Sequence, residues 1–293
     1  MNAETTPGTI TAGQQAKPLA LEELLRAWGL RHVPFAATGK PMGLYLSPAH
    51  HEALGLLDTI AALRGVMVLT GAPGTGKSTL LKSWMQSLEP KRHLPLMVTQ
   101  SSLSASGVLE ILLAKLGEKP RFKRSLSLMA LEKHLAGIDP LTLVLVLDDA
   151  QNYPAPALEE IRMLLGLGGG SRTAFALVLS GDEYLLGSLR LSVQRALFSR
   201  VSATAMLPAL GREHIAPYLN WHVAQAGLQR DIFEPAAIDL LAEASQGNPR
   251  ILNLLAQAAW LTAARQSMTC IEAAHIHTAL RQVPAANSKI TSP

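Results

Sequence analysis

A single cysteine, Cys270, stands in 293 residues, so no intramolecular disulfide and no cysteine-rich zinc site can form. That thiol is expected to be buried or indifferent. Charge is also sparse. Charged residues make up 16% of the chain, and Lys+Arg 26 against Asp+Glu 22 leaves a formal +4. So mild a surplus permits a nucleic-acid partner without demanding one. Long apolar runs are missing: the longest, around 143–147, is far too short to cross a bilayer and ends on two aspartates. The first eighteen residues lack the charged-then-apolar order of a secretory leader. No internal repeat is visible. These absences make a cytoplasmic protein without a membrane span the expectation. The 48% of hydrophobic residues suits either surfaces that meet other subunits or simply an alanine- and leucine-rich helical protein.

What is present is concentrated at one place. Gly71-Ala72-Pro73-Gly74-Thr75-Gly76-Lys77-Ser78 fits G-x-x-x-x-G-K-[ST], follows the apolar run 66–69, and opens an amphipathic stretch at Thr79. A strand delivers such a loop, glycines let the backbone curl around phosphates, and the next helix points its N-terminus at them. Lys77 is then the group that reaches the β- and γ-phosphates, and Ser78 the ligand of Mg²⁺. A glycine-rich turn with an incidental lysine would not need strand, loop and helix in this order. The chain is therefore expected to bind a nucleoside triphosphate.

Around the loop, strand and helix alternate. Strands are expected at 66–70, 94–99, 141–147, 174–180 and 201–207, with helices at 78–87, 106–116, 126–136 and 156–167 between them. Continuous β-rich apolar runs separated by helices argue for a parallel sheet covered on both faces. The expected fold class is α/β, a P-loop core with a five-stranded parallel sheet followed by a small all-helical lid domain. The lid's helices are read at 212–225, 235–245, 249–265 and 271–282, punctuated by Gly227, Gly247 and Pro284. Ahead of the sheet, a short helix at 21–28 and a longer one from Pro48 to Leu63, capped by Ser47, are expected. The division is a flexible tail at 1–20, the P-loop ATPase domain at 21–207, the lid at 208–283 and a second flexible tail at 284–293.

The run 143–147 ends in Asp148-Asp149-Ala150-Gln151, a Walker B pattern whose acids fall at the sheet's carboxyl edge, where open α/β sheets bind ligands. Asp148 is the expected Mg²⁺ holder and Asp149 the group that polarises the attacking water. Ser180 ends the next strand. It either touches the γ-phosphate or lytic water, or merely starts a turn with Gly181-Asp182. Arg195 and Arg200 flank an apolar step; each is either a cation for a neighbouring subunit's nucleotide or a surface salt-bridge partner. Arg250 opens a lid helix and can fold onto the γ-phosphate, coupling lid closure to nucleotide state. His50, His51, His275 and His277 lack a carboxylate or cysteine pattern around them and are read as ordinary helix residues.

The sequence resembles the ExeA/GspA-like branch of the AAA+ ATPases, close to transposition-associated helper ATPases of the TnsC/TniB/IstB kind. The resemblance begins at Trp28-Gly29-Leu30, Pro34-Phe35 and Leu44-Tyr45-Leu46-Ser47-Pro48-Ala49-His50. It continues through the loop at Gly71, Asp148-Asp149-Ala150-Gln151-Asn152 and the segment 158–165, and ends with Gly247-Asn248-Pro249-Arg250-Ile251-Leu252-Asn253. It spans roughly 25–283. It implies ATP and Mg²⁺ as cofactors, ring or helical homo-oligomers and hydrolysis at subunit interfaces. By position Arg200 matches the finger arginine better than Arg195, and Arg250 matches the lid's sensor arginine. The usual Asp-Glu pair is Asp148-Asp149 here, which implies slow hydrolysis. Secretion-type members carry a membrane span and a wall-binding region behind the ATPase, and this chain is expected to lack them.

Two jobs fit this engine. One is an ATP-dependent assembly on double-stranded DNA that recruits or activates a transposase, with the basic segments 119–124 and 91–93 contacting phosphates or simply forming solvated loops. The other is an ATPase energising secretion or envelope assembly through a separate membrane partner.

Overall fold

In the computed structural model of the protein, residues 20–36, 43–100, 103–168, 173–191 and 194–284 are described. The expected tails fall outside them, apart from Ala20 and Pro284. Helix α1 (Leu21–Trp28) and α2 (Pro48–Leu63) precede the sheet. Then come β1 (Val66–Thr70), α3 (Lys77–Ser87), β2 (His93–Val98), α4 (Ala105–Lys115), α5 (Arg124–Ile138), β3 (Thr142–Leu147), α6 (Ala155–Leu165) and β4 (Ala176–Ser180). Two short helices, α7 (Tyr184–Leu189) and α8 (Arg195–Phe198), lead to β5 (Val201–Met206). The helical region follows as α9 (Arg212–Gln225), α10 (Pro235–Ser245), α11 (Pro249–Arg265) and α12 (Ala273–Gln282).

The five strands form one parallel sheet in the order β2-β3-β4-β1-β5. Strands β1, β3 and β4 are buried along their whole length, whereas the edge strand β5 alternates between half-buried and exposed. Helices cover the interior strands on both faces, so those strands read as unbroken apolar runs. Successive side chains point to opposite faces. Met67, Leu69, Val144 and Val146 therefore join the core under α2 and α3, while Val66, Val68, Leu143, Leu145 and Leu147 join the core under α4 and α6.

A third core lies in the helical region. It contains Ile215, Leu219, Leu241, Leu255 and Trp260, and also Leu24, Trp28, Leu30 and Phe35 from the front of the chain. The segment expected to open the 21–207 domain thus buries its apolar side chains among α9–α12. Trp28 meets Trp260 edge-on with ring centroids 6.4 Å apart. Sequence periodicity finds the helix but not its partner, because an apolar stripe specifies burial and not the surface that provides it.

The elements agree with expectation to within a few residues, with two differences. Helices α7 and α8 have no counterpart in the sequence reading. Both are short, and α7 carries Gly187, so neither shows a periodic stripe. The last helix begins at Ala273, because Ile271 is drawn into a parallel bridge with Phe233.

Candidate phosphate-binding site

Because all five strands run the same way, the turns after β1, β3 and β4 open on one sheet edge. The loop after β1 turns into α3 at Gly76, whose φ of +99° is a left-handed conformation that a side chain would strain. Gly74, at φ +92°, is needed for space as well. A Cβ there would sit 2.5 Å from Asn248 Oδ1 and 2.9 Å from Arg250 Cβ. Thr75 Oγ1 donates to the Ala72 carbonyl at 2.9 Å and tightens the turn. Lys77 is nearly buried, and its Nζ donates to the carbonyls of Gly71 (2.7 Å) and Ala72 (3.1 Å). Burial lowers its pKa, Asp148, Asp149 and Asp182 pull it back up, and the Arg250 charge lowers it. The first amides of α3 have no acceptor within the helix, so the loop end is electropositive.

Opposite the loop, β3 ends in Asp148, which is 6% exposed. Its Oδ1 accepts from Ser180 Oγ at 2.9 Å and from the Asp149 backbone N–H at 3.2 Å. Its Oδ2 takes no hydrogen bond from the described residues. A hydroxyl at Ser78 and a carboxylate at Asp148 are hard oxygen donors on the same sheet edge, a set that suits Mg²⁺. Asp149 takes φ +51°, a left-handed turn that strains a residue with a side chain, and it is exposed. Its neighbour Gln151 holds Asp149 Oδ1 at 3.5 Å and accepts the Asp182 N–H at 3.2 Å, tying the end of β3 to that of β4. Tyr153 is buried nearby, and among the described residues its hydroxyl has no hydrogen-bond partner. Burial, then the charges of Asp148 and Asp149, push its pKa up to about 12.

The helical region closes the third side. Asn248 caps α11 through Oδ1, which accepts from Arg250 N (3.1 Å) and Ile251 N (3.4 Å). The other half of its amide, Nδ2, donates to the Pro73 carbonyl at 2.9 Å. Arg250 N–H adds a bond to the Gly74 carbonyl at 3.3 Å. The start of α11 is thus fastened to the phosphate loop. The linker after β5 is fastened too, with Leu207 N–H on Thr70 O and Leu210 N–H on Gly247 O, each at 2.8 Å.

The structure brings Gly71 to Thr79, Asp148, Asp149, Ser180 and Arg250 to this one edge. Ser180 differs from expectation. It is fully buried and its hydroxyl donates to Asp148 Oδ1, a contact that the sequence reading did not include. Arg200 lies elsewhere. Val201 pairs with Val66 and Met206 with Thr70, which puts Arg200 at the sheet edge opposite the loop, where it donates to the Arg162 carbonyl at 3.3 Å. Arg195 lies exposed on α8. Asn248 and Gln151 were not singled out as site residues in the sequence. The Asn-Pro pair at 248–249 does carry a helix-cap signal, but nothing in it says which loop the free amide will meet.

Residues 61–189 match the family model described as "AAA domain". Over 244 residues, 80% of this chain, the sequence is 29% identical to general secretion pathway protein A of Aeromonas hydrophila. The chain spans 44% of that relative's length. Among solved structures, Cdc6p of Pyrobaculum aerophilum superposes with a TM-score of 0.65 at 21% identity, covering 85% of this chain and 70% of that one. Drosophila ORC bound to DNA gives 0.65 at 15% identity, over 98% of this chain and 71% of that one. The RuvB Holliday junction branch migration motor of Thermotoga maritima gives 0.53 at 18% identity, over 80% and 68%. Sheet order, phosphate loop and attached helical region, taken with these likenesses, make the fold a P-loop α/β core followed by a helical region, similar to the fold of these proteins.

Proposed function

We propose that this chain binds ATP with Mg²⁺, hydrolyses it to ADP and phosphate, and uses the cycle to assemble as a homo-oligomer on double-stranded DNA, where it assists a transposase in the cytoplasm. One observation carries the nucleotide reading: Lys77, Asp148 with its Ser180 hydrogen bond, and the Asn248–Arg250 helix start all converge on the loop Gly71–Ser78.

In this reading the loop amides and Lys77 hold the phosphates, Lys77 exchanging its two loop carbonyls for phosphate oxygens. Ser78 and Asp148 would hold Mg²⁺, which would supply charge neutralisation at the phosphates. Asp149 orients a water for in-line attack on the γ-phosphorus and takes its proton. Its carboxylate is one methylene shorter than the usual glutamate, so turnover is slow. Ser180 holds Asp148 in place. Arg250 couples the helical region to the γ-phosphate, and Arg200 stabilises transferring charge in the site of the next subunit in a ring or helical filament.

The DNA part rests on two supports. Lys119, Arg121 and Lys123 are exposed around a fully exposed Phe122, while Arg124 is engaged with the buried Glu160 at 2.7 Å. The similar folds include one solved on DNA and one named for branch migration. A secretion role is the second reading, favoured by the 29% identity to general secretion pathway protein A. The test mixes purified protein with random-sequence duplex DNA, with and without a non-hydrolysable ATP analogue, across a salt series. Nucleotide-dependent binding that weakens steeply with salt is expected. No binding even at low salt would sink the DNA reading and leave the secretion reading standing.

A further inference from the structure

His50 reads as an ordinary helix residue in the sequence, and its surroundings in the fold are unusual for one. It lies in the first turn of α2, is 5% exposed, and packs toward the phosphate loop. Its Nδ1 is met by the Ser47 hydroxyl at 2.7 Å and by the Ser47 backbone nitrogen at 3.3 Å. A backbone N–H can only donate, so Nδ1 accepts and the ring proton of the neutral imidazole sits on Nε2. Among the described residues nothing accepts from that Nε2–H. It points at the start of α3: a Cβ built on Gly76 would lie 4.0 Å from it, and the +99° φ of Gly76 disfavours the side chain that would fill the gap.

We infer that His50 contacts the nucleoside: its Nε2–H donates to an uncharged acceptor on the base or ribose of a nucleotide held by the loop Gly71–Ser78. The inference rests on the nucleotide reading above and assigns a part of the ligand that the reading leaves without a partner. The ring is buried and locked by Ser47, and its second nitrogen alone stays open, which presents a fixed donor to a ligand at the loop. Burial first, and then the neighbouring His51, lower the pKa of His50. The ring is therefore neutral at pH 7 and acts as a directional donor, not a counter-charge. The phosphates already have Lys77 and the amides at the helix start. Sugar and base are what remain for a neutral donor beside that helix.

The test measures binding of ATP, 2′-deoxy-ATP, GTP and inorganic tripolyphosphate to the full chain by calorimetry. The amide of His50→Gln reaches the Nε2 position, whereas that of His50→Asn reaches only Nδ1. His50→Asn is expected to weaken ATP binding about tenfold, the worth of one hydrogen bond, and His50→Gln about threefold or less, with tripolyphosphate affinity unchanged in both. A loss that vanishes with 2′-deoxy-ATP assigns the ribose as acceptor; one retained there but absent with GTP assigns the base. Wild-type ATP affinity in His50→Asn, or equal losses for ATP and tripolyphosphate, overturns the inference. If the Asn variant melts early, ¹⁵N-histidine spectra of the wild-type protein decide instead. The His50 Nε2–H signal must move with ATP and stay put with tripolyphosphate. Wild-type protein that binds neither ligand overturns the nucleotide reading itself.

Discussion

Ser180 Oγ donates to Asp148 Oδ1 at 2.9 Å, joining the ends of two adjacent strands beneath the phosphate loop. The bond holds the carboxylate by one oxygen, and the other takes no hydrogen bond from the described residues. Ser180→Ala removes the only side-chain donor to Asp148 among the described residues, and a buried hydrogen bond to a charged group contributes about 1.5–3 kcal/mol. The variant is expected to unfold earlier in denaturant by about that amount. Its Mg²⁺-dependent gain in nucleotide affinity should shrink, while Mg²⁺-free nucleotide binding stays as in the wild type. An unchanged Mg²⁺ titration would remove Ser180 from the site.

Asn248 performs two tasks with one amide, and a single substitution separates them. Asn248→Asp keeps an oxygen to cap α11 but replaces the Nδ2 donor with an acceptor facing the Pro73 carbonyl. Stability should be nearly retained and nucleotide affinity lowered. Asn248→Ala should lose both, with a cap cost of about 1 kcal/mol. Wild-type nucleotide affinity in Asn248→Asp would mean that the Pro73 contact has no bearing on the ligand.

Asp149→Asn keeps the shape of the left-handed turn, since asparagine tolerates that conformation. ATP binding and assembly are expected to persist while hydrolysis falls about a hundredfold or more, the usual range for loss of a general base. Turnover within a few-fold of wild type, measured by phosphate release, would move the base elsewhere.

Arg200 lies at the sheet edge opposite its own phosphate loop, so its contribution is expected in a neighbour's site. Lys77→Ala should be unable to turn over ATP but still able to offer its arginine. Arg200→Ala should be inactive alone. Mixing the two is expected to restore part of the turnover, because one interface then carries an intact Lys77 and an intact Arg200. Normal hydrolysis by Arg200→Ala alone would shift the role to Arg195.

His222 supplies a pH dependence. It packs among Phe35, Tyr218 and Trp221, and burial pushes its pKa from 6.5 down to about 4. The folded protein keeps it neutral while the unfolded chain binds a proton below pH 6.5. Stability should therefore fall as pH drops from about 6.5 toward 4, by on the order of 3 kcal/mol, and level off below. Denaturant melts at pH 7 and pH 4.5 check this, with His222→Phe expected to flatten the slope.

Much of the site was legible because its parts are local. The loop Gly71–Ser78 is a turn whose glycines, lysine and serine serve backbone demands within one stretch, and the run before Asp148 announces a covered strand by itself. Arg250 was legible through its place after Asn248-Pro249, a helix-start pattern. Ser180 was visible only as a polar strand end, and whether it faced ligand or protein depended on β3 being its neighbour. Helices α7 and α8 were missed because four to six residues cannot display a helical period. His50 gave no signal at all, since a histidine in a first turn carries no mark of what lies opposite its ring.

By itself the sequence determined the alternation of strands and helices, the phosphate loop and the acids at the end of β3, because propensity, apolar period and turn chemistry act between residues a few positions apart. Only the tertiary structure decided that Ser180 holds Asp148 across 32 residues, that Asn248 grips Pro73 across 175, that α1 shares a core with α9–α12, and that His50 faces Gly76. Those pairings depend on strand order and on which apolar face closes on which. Such choices are made by the packing of the whole chain, and no local stretch encodes them.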